Sequence, residues 1–204
     1  MPEKVVFLLD GGFVKKKLEE KNGHFPTVKE IAAIPATLMQ HPRLAGKDMF
    51  RIYFYDAPPF LGKSKNPISR AVLDFSSHPK AAQNKSLLDA LEFEPDFAVR
   101  RGVLMCSGWK LGRAAIQSLG RQPRPVTATD FVPDLVQKGV DIRIGLDIAW
   151  IALRGVAHIL VLVTGDSDFV PVMKFARKEG VRVYLEELDH PVRPELKAHA
   201  DFVF

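Results

Sequence analysis

Two kinds of hydrophobic pattern alternate along the chain. Short, largely apolar runs predict strands at residues 4–9, 50–55, 97–105, 158–163 and 181–185. Between these runs, apolar residues recur at helical spacing and predict helices at residues 13–21, 28–40, 79–92, 141–153 and 170–179. Strands that alternate with helices are typical of βαβ units with right-handed crossovers. The pattern therefore predicts a three-layer α/β fold, with a mainly parallel central sheet of about five strands flanked by helices.

Two stretches follow neither pattern and predict long loops. Residues 56–78 are rich in proline, serine, lysine and asparagine. Residues 120–135 contain three prolines, with room for one short strand at 126–130. Long loops at strand ends often have functional roles, so the first loop is a candidate for shaping a substrate groove. Nothing in the composition divides the chain, and we expect one domain over residues 1–204.

Composition narrows the classes of protein that fit this chain. Hydrophobic residues make up 47% of the 204 residues, which is enough for a full core. The single cysteine, Cys106, excludes an intrachain disulfide and a cysteine-based zinc site. The six histidines are scattered and show no metal-ligand spacing. Without a signal-peptide pattern or a membrane-length apolar stretch, we expect a cytoplasmic protein with no membrane partner.

Positive charge is concentrated in the middle of the chain. The formal net charge is +5, and no aspartate or glutamate occurs between Asp96 and Asp130. That interval contains six basic residues and a tryptophan: Arg100, Arg101, Lys110, Arg113, Arg121, Arg124 and Trp109. Such a segment can follow a phosphate backbone, and the indole can stack on a base. The alternative is a solvated loop, or basic residues paired with acids elsewhere in the fold.

Carboxylates follow two of the predicted strands, at the point where each strand ends. Asp10 comes directly after the apolar run Val5–Leu9, and Asp166 and Asp168 follow the run Ile159–Val163. Ligands of parallel α/β sheets bind at this edge, and Mg²⁺ prefers oxygen ligands. Each aspartate could instead be only a helix N-cap. One cap, however, does not explain why two remote strands end in the same way.

Three further aspartates are candidate site residues, but the sequence around them is less specific. Asp147 has Ile144 and Ile151 as helical neighbours, so it projects from a largely apolar face, where an unpaired carboxylate is costly. Asp141 lies six residues earlier, about 120° away around the helix, and is a candidate cap as well as a site residue. Asp56 also ends a predicted strand, but the Ala57-Pro58-Pro59 turn follows it, which makes it a secondary candidate.

The ordered set of these motifs resembles the NYN domain, a PIN-like nuclease family that includes the bacterial LabA-like proteins. The motifs are Leu9-Asp10-Gly11-Gly12-Phe13, Lys138-Gly139-Val140-Asp141 with Asp147, and Thr164-Gly165-Asp166-Ser167-Asp168-Phe169. Residues 51–59 are similar to the family's second strand and its turn, and residues 200–204 to its last segment. The chain departs from the family at Gly12, where many relatives carry asparagine.

The resemblance implies a metal-dependent ribonuclease of bacterial cytoplasm with a PIN-like fold. Carried across by position, the family's catalytic and metal-binding acids fall on Asp10, Asp147, Asp166 and Asp168. Asp141, Lys138, Asp56 and Ser167 are secondary candidates. Bound Mg²⁺ or Mn²⁺ would activate a water and stabilise the leaving oxygen of an RNA phosphodiester, cut endonucleolytically. The basic residues of 100–124 would then guide the RNA strand, and no small-molecule cofactor is expected.

Two other interpretations stay open at this point. The same fold could serve as a non-catalytic RNA-binding or regulatory module. A phosphatase of the haloacid dehalogenase type needs a second aspartate two residues after the first, where this chain has Gly12. A phosphate loop of the Gly-x-x-x-x-Gly-Lys-Ser/Thr type does not occur. The sequence does not fix the oligomeric state, and a homo-oligomer stays open.

Overall fold

The computed structural model describes residues 2–204 as alternating strands and helices. In chain order these are β1 (Lys4–Asp10), α1 (Gly11–Asn22), α2 (Val28–Leu38), β2 (Asp48–Asp56), β3 (Lys63–Lys65), β4 (Val72–Asp74), α3 (Pro79–Leu91), β5 (Phe97–Arg101), β6 (Val103–Leu111), α4 (Arg113–Arg121), β7 (Phe131–Lys138), α5 (Val140–Arg154), β8 (Ile159–Val163), α6 (Val170–Lys178), β9 (Arg182–Glu186), α7 (Pro194–Ala198) and β10 (Phe202–Val203). Within this part of the chain, the helices are too short or too polar to span a bilayer.

A six-stranded parallel sheet forms the middle layer, in the order β10-β9-β8-β1-β2-β5. The predicted three-layer α/β fold is confirmed, and the short strand β10 is the addition to the predicted five. Strand β1 lies in the interior of the sheet, and its residues Val5–Leu9 are completely buried. Val6 and Leu8 pack with the core residues of α5 and α6, whereas Val5, Phe7 and Leu9 pack with those of α1–α3. Burial on both faces explains the continuous apolar run.

The predicted strand 97–105 is wrong in one respect, because it is two strands that separate at Gly102. Strand β5 pairs with β2, whereas β6 pairs antiparallel with β7 in a hairpin of its own. The Gly102 amide donates to the Asp56 carbonyl at 2.8 Å. A Cβ at Gly102 would lie 2.5 Å from Val140 Cγ2, so this crossing of the chain requires glycine.

The predicted loops contain more regular structure than their composition indicates. In the loop 120–135, strand β7 begins at Phe131, and the short strand expected at 126–130 is instead a 3₁₀ turn, Ala128–Asp130. Arg124 and Thr127 hold that turn through the buried Asp130 carboxylate. In the loop 56–78, β3 and β4 form a short hairpin. Helix α4 has no counterpart among the predicted helices; it leaves none of its side chains fully buried.

The two consecutive glycines after β1 provide a matched pair for a stability test. A Cβ at Gly11 would lie 2.6 Å from the Tyr55 carbonyl oxygen and 2.9 Å from Phe54 Cε1, whereas one at Gly12 meets only Asp10 Oδ1 at 3.4 Å. We expect Gly11→Ala to lower the free energy of unfolding by about 2–3 kcal/mol through overpacking. Gly12→Ala should leave it unchanged or raise it by up to about 1 kcal/mol, since alanine is the better helix residue. Urea unfolding of both variants measures the difference, and equal effects would contradict this explanation.

Candidate functional site

Asp10 is held at the carboxyl edge of the sheet by three hydrogen bonds. Its Oδ1 accepts from the amides of Gly12 at 3.1 Å and Phe13 at 3.2 Å, which caps α1. Because β1 and β8 are parallel neighbours, Thr164 lies beside Asp10, and its hydroxyl donates to Oδ2 at 3.0 Å. Asp10 is thus a helix cap, as the alternative interpretation proposed, and also a carboxylate fixed at the edge where ligands bind.

The segment after β8 brings two more carboxylates to the same edge. The amide of Asp166 donates to the buried Thr164 hydroxyl at 3.2 Å, and the amide of Asp168 donates to Asp166 Oδ1 at 2.9 Å. These contacts shape a 3₁₀ turn, Ser167–Phe169, that leads into α6. Both aspartates are exposed, so their remaining oxygens face solvent.

A fourth carboxylate, Asp141, joins them from the first turn of α5. Partial desolvation, followed by the negative charges of Asp166 and Asp168, raises the pKa of Asp141. Burial raises the pKa of Asp10, and the charge of Asp141 raises it further, while the hydrogen bonds from Phe13 and Thr164 lower it. A carboxylate whose pKa is raised by neighbouring negative charges lies in a region of negative potential. The structure therefore brings together Asp10, Asp141, Asp166 and Asp168, which we call the acidic cluster.

Asp147 lies further along α5 and in a different environment. Its Oδ2 accepts from the Tyr55 hydroxyl at 2.8 Å and from Arg100 Nε at 3.1 Å. Burial, and then the charge of Asp147, raises the pKa of Tyr55. The apolar side of α5 thus satisfies this carboxylate with protein groups, and its assignment as a metal ligand stays a prediction.

The secondary candidates lie in three different places. Asp56 is only 1% exposed and forms an ion pair with Lys15, which also donates to Asn84 Oδ1 at 2.7 Å. Lys138 is exposed at the end of β7, two residues before α5 begins. Ser167 lies beside the acidic cluster, where Arg193 approaches its hydroxyl at 3.4 Å. Asp56 is therefore part of a buried ion pair, whereas the other two are accessible to a ligand.

A cavity of about 340 Å³ opens next to the acidic cluster. Its lining combines three acids with basic and aromatic side chains: Asp10, Phe13, Lys16, Lys17, Gly165, Asp166, Ser167, Asp168, His190 and Arg193. The sequence patterns gave no site role to Lys16 or Lys17 of α1, and they missed His190 and Arg193. His190 and Arg193 both follow the carboxyl end of β9. Ligands of parallel α/β sheets bind at the carboxyl ends of the strands, so the reasoning used for the aspartates would also have predicted these two residues.

Most of the predicted RNA-binding residues are already paired with acids. Arg100 binds Asp147, Arg101 binds Asp89 and Glu92, Lys110 binds Asp134, and Arg124 binds Asp130. The Trp109 indole donates to the Ser64 hydroxyl at 2.8 Å. Arg113 and Arg121, at the two ends of α4, form no ion pair within residues 2–204. RNA binding by this segment stays a prediction, and α4 is its accessible part.

The acidic cluster fits a hydrated metal ion better than a fully protein-ligated one. In the described part of the chain, no three histidine, cysteine, aspartate or glutamate side chains are grouped closely enough to hold a metal. Mg²⁺ usually takes one or two carboxylates directly and keeps several waters. Exposed carboxylates such as Asp166 and Asp168, backed by Asp10, match that preference for oxygen ligands and retained water.

Comparison with a solved structure supports the fold. The chain resembles the crystal structure of a protein of unknown function from Vibrio parahaemolyticus, with a TM-score of 0.53 and 17% sequence identity. The alignment covers 99% of this chain and 91% of that one. At this identity the similarity concerns the fold alone. No curated protein matches the chain.

Comparison with protein families shows to which family the chain belongs. The family model of the NYN domain matches residues 98–203, which include β5, α5, β8 and the segment with Asp166 and Asp168. This match covers just over half of the chain and contains the last two of the three sequence motifs, those at Lys138–Asp147 and Thr164–Phe169. The chain therefore belongs to the NYN domain family, a family of PIN-like nucleases.

Proposed function

We propose that this protein is a Mg²⁺- or Mn²⁺-dependent ribonuclease that hydrolyses RNA phosphodiester bonds at the acidic cluster. One observation supports this proposal above the others. The four carboxylates come from three remote segments, and within residues 2–204 none of them forms an ion pair with lysine, arginine or histidine. By contrast, Asp56 and Asp147 are both paired with cations. Neighbouring carboxylates without a protein cation create a negative potential that favours the binding of a cation.

The residues of the cluster would have distinct roles. Three hydrogen bonds fix the Asp10 carboxylate, which would present one of its oxygens to the ion. Asp166 and Asp168 would contact the ion directly or through water. Asp141 would complete the negative site from α5. The divalent ion, when bound, supplies an activated water and stabilises charge on the leaving oxygen. Lys16 and Arg193, on the cavity wall, would bind the phosphate oxygens of the RNA.

The family resemblance and the geometry differ on which acid of α5 serves the site. The resemblance assigns this role to Asp147, but Tyr55 and Arg100 hold that carboxylate. Asp141 has no such partners and lies near Asp166 and Asp168. We therefore propose Asp141 as the acid from α5 that serves the metal site. Asp147 would position Arg100 and Tyr55 instead, through its Oδ2.

Matched variants of the two acids test this assignment. In a cleavage assay with single-stranded and structured RNA, the wild type should cut with Mg²⁺ or Mn²⁺ and stop cutting with EDTA. We expect Asp141→Asn to reduce the rate about 100-fold or more, because it removes a charge of the metal site, and Asp147→Asn to reduce it less than about 10-fold. The reverse order would make Asp147 the metal acid. RNA binding without cleavage under every metal condition would support the non-catalytic module instead.

A further inference from the structure

Helix α5 presents apolar side chains on its outer face as well as on its inner one. Ile144, Ile148 and Ile151 are completely buried in the core. On the opposite side, four large apolar residues are about half to two-thirds exposed: Ile142 (62%), Leu146 (63%), Trp150 (49%) and Leu153 (64%). A surface helix normally carries polar residues on its solvent side. A contiguous row of large apolar side chains there indicates a binding surface.

The charged residues beside this outer face do not cover it. Arg143 donates back to the Gly139 carbonyl at 2.6 Å, at the start of the helix. Asp147 is held on the inner flank by Tyr55 and Arg100. The apolar face is therefore available to a partner without breaking an existing contact.

The spacing of the outer residues matches a second copy of the same helix. Ile142, Leu146, Ala149 and Leu153 follow intervals of four, three and four residues, which is the spacing of a helix-pairing seam. This order of intervals is the same when the helix is followed from its N-terminus or from its C-terminus. Two antiparallel copies related by a two-fold axis would therefore place each Ile142 opposite a Leu153, and each Leu146 opposite the small Ala149. This pairing of large with small residues lets the two helices approach each other at the centre.

The apolar row on α5 provides part of the surface that a dimer needs. A row of four such side chains offers surface of the size that often marks a functional patch, about 300–600 Å². A stable interface needs about 800 Å² from each partner. Val103 and Met105 on β6 are half-exposed, and Val103 pairs with Lys138, two residues before α5 begins. These side chains, beside the N-terminal end of α5, would add apolar surface to the contact.

We propose that the outer face of α5 is the interface of a two-fold symmetric homodimer in which the α5 helices pack antiparallel. Its seam is Ile142, Leu146, Ala149 and Leu153, with Trp150 as the large side chain at its flank. This inference does not depend on the proposed nuclease activity. The acidic cluster lies at the N-terminal end of α5, so the two clusters of a dimer would lie at opposite ends of the interface.

Light scattering coupled to gel filtration tests the proposal at micromolar protein concentration. The wild type should have the mass of a dimer, and Leu146→Glu should have the mass of a monomer because it buries a charge at the centre of the seam. Phe93→Glu is the matched control, since Phe93 is 88% exposed and lies outside the seam. This control should remain dimeric. A monomeric wild type, or a Leu146→Glu variant that remains dimeric with unchanged circular dichroism, would overturn the proposal.

Cysteine crosslinking tests the antiparallel register. In a Cys106→Ser background, Ala149→Cys lies near the two-fold axis and should form a disulfide between copies under mild oxidation. Leu153→Cys lies near the end of the seam, far from its counterpart, and should not. Crosslinking of Leu153→Cys but not Ala149→Cys would contradict the antiparallel pairing. The absence of both crosslinks in a protein that is monomeric by mass would overturn the proposed dimer.

Discussion

Replacement of Asp10 by asparagine is expected to reduce metal-dependent RNA cleavage by about 1,000-fold, because bound metal contributes several kcal/mol to the transition state. Asparagine has nearly the same shape but no charge, so it cannot hold a divalent ion as the carboxylate does. The fold should survive, because asparagine is as good an N-cap as aspartate and can still accept from the amides of Gly12 and Phe13. Single-turnover cleavage assays measure the loss.

Two controls separate a catalytic role of Asp10 from a structural one. Asp48→Asn makes the same chemical change at an exposed position at the start of β2 and should cleave RNA like the wild type. RNA affinity of Asp10→Asn should be similar or higher, since a repulsive charge near the phosphate is gone. Loss of folding would mark Asp10 as structural, and unchanged cleavage would contradict its role at the metal site.

Replacement of Lys15 by methionine is expected to lower the free energy of unfolding by about 3 kcal/mol, because it leaves a buried charge without its partner. Asp56 is only 1% exposed, and Lys15 supplies the cation for its carboxylate. Methionine keeps most of the lysine stem and its packing. The variant also loses the hydrogen bond to Asn84, which links α1 to α3. Urea unfolding monitored by fluorescence or circular dichroism measures the change.

A neighbouring lysine provides the control for this prediction. Lys17 pairs with Glu20, whose side chain is 52% exposed, so Lys17→Met should cost less than about 1 kcal/mol. Adding Asp56→Asn to Lys15→Met should recover part of the lost stability, because the unpaired charge is removed. If Lys15→Met and Lys17→Met had equal effects, Asp56 would not need a cation. Its role as a site carboxylate would then have to be considered again.

The sequence predicted the fold because the core is built from short local patterns. Strand β1 is buried on both faces, and β8 is too, so both appear as continuous apolar runs that a polar neighbour ends sharply. The carboxyl ends of adjacent parallel strands meet at one edge, which is why Asp10, Asp166 and Asp168 could be placed together. These inferences need only local periodicity and one rule about parallel sheets.

The sequence could not show which polar groups would meet across the fold. Asp147 was correctly placed near the apolar side of α5, but its partners Tyr55 and Arg100 come from β2 and β5. The division of the predicted strand at Gly102 likewise depends on tertiary structure, because β5 pairs with β2 whereas β6 pairs with β7. Such contacts depend on tertiary placement, which local patterns do not contain.

Binding of Mn²⁺ in the absence of RNA is the most direct test of the acidic cluster as a metal site. Titration followed by calorimetry or electron paramagnetic resonance should show saturable binding to the wild-type protein. Asp166→Asn should bind much more weakly, and Asp48→Asn should bind as the wild type does. If the wild type does not bind Mn²⁺, or if Asp166→Asn binds it equally well, the acidic cluster is not the metal site that the proposed ribonuclease requires.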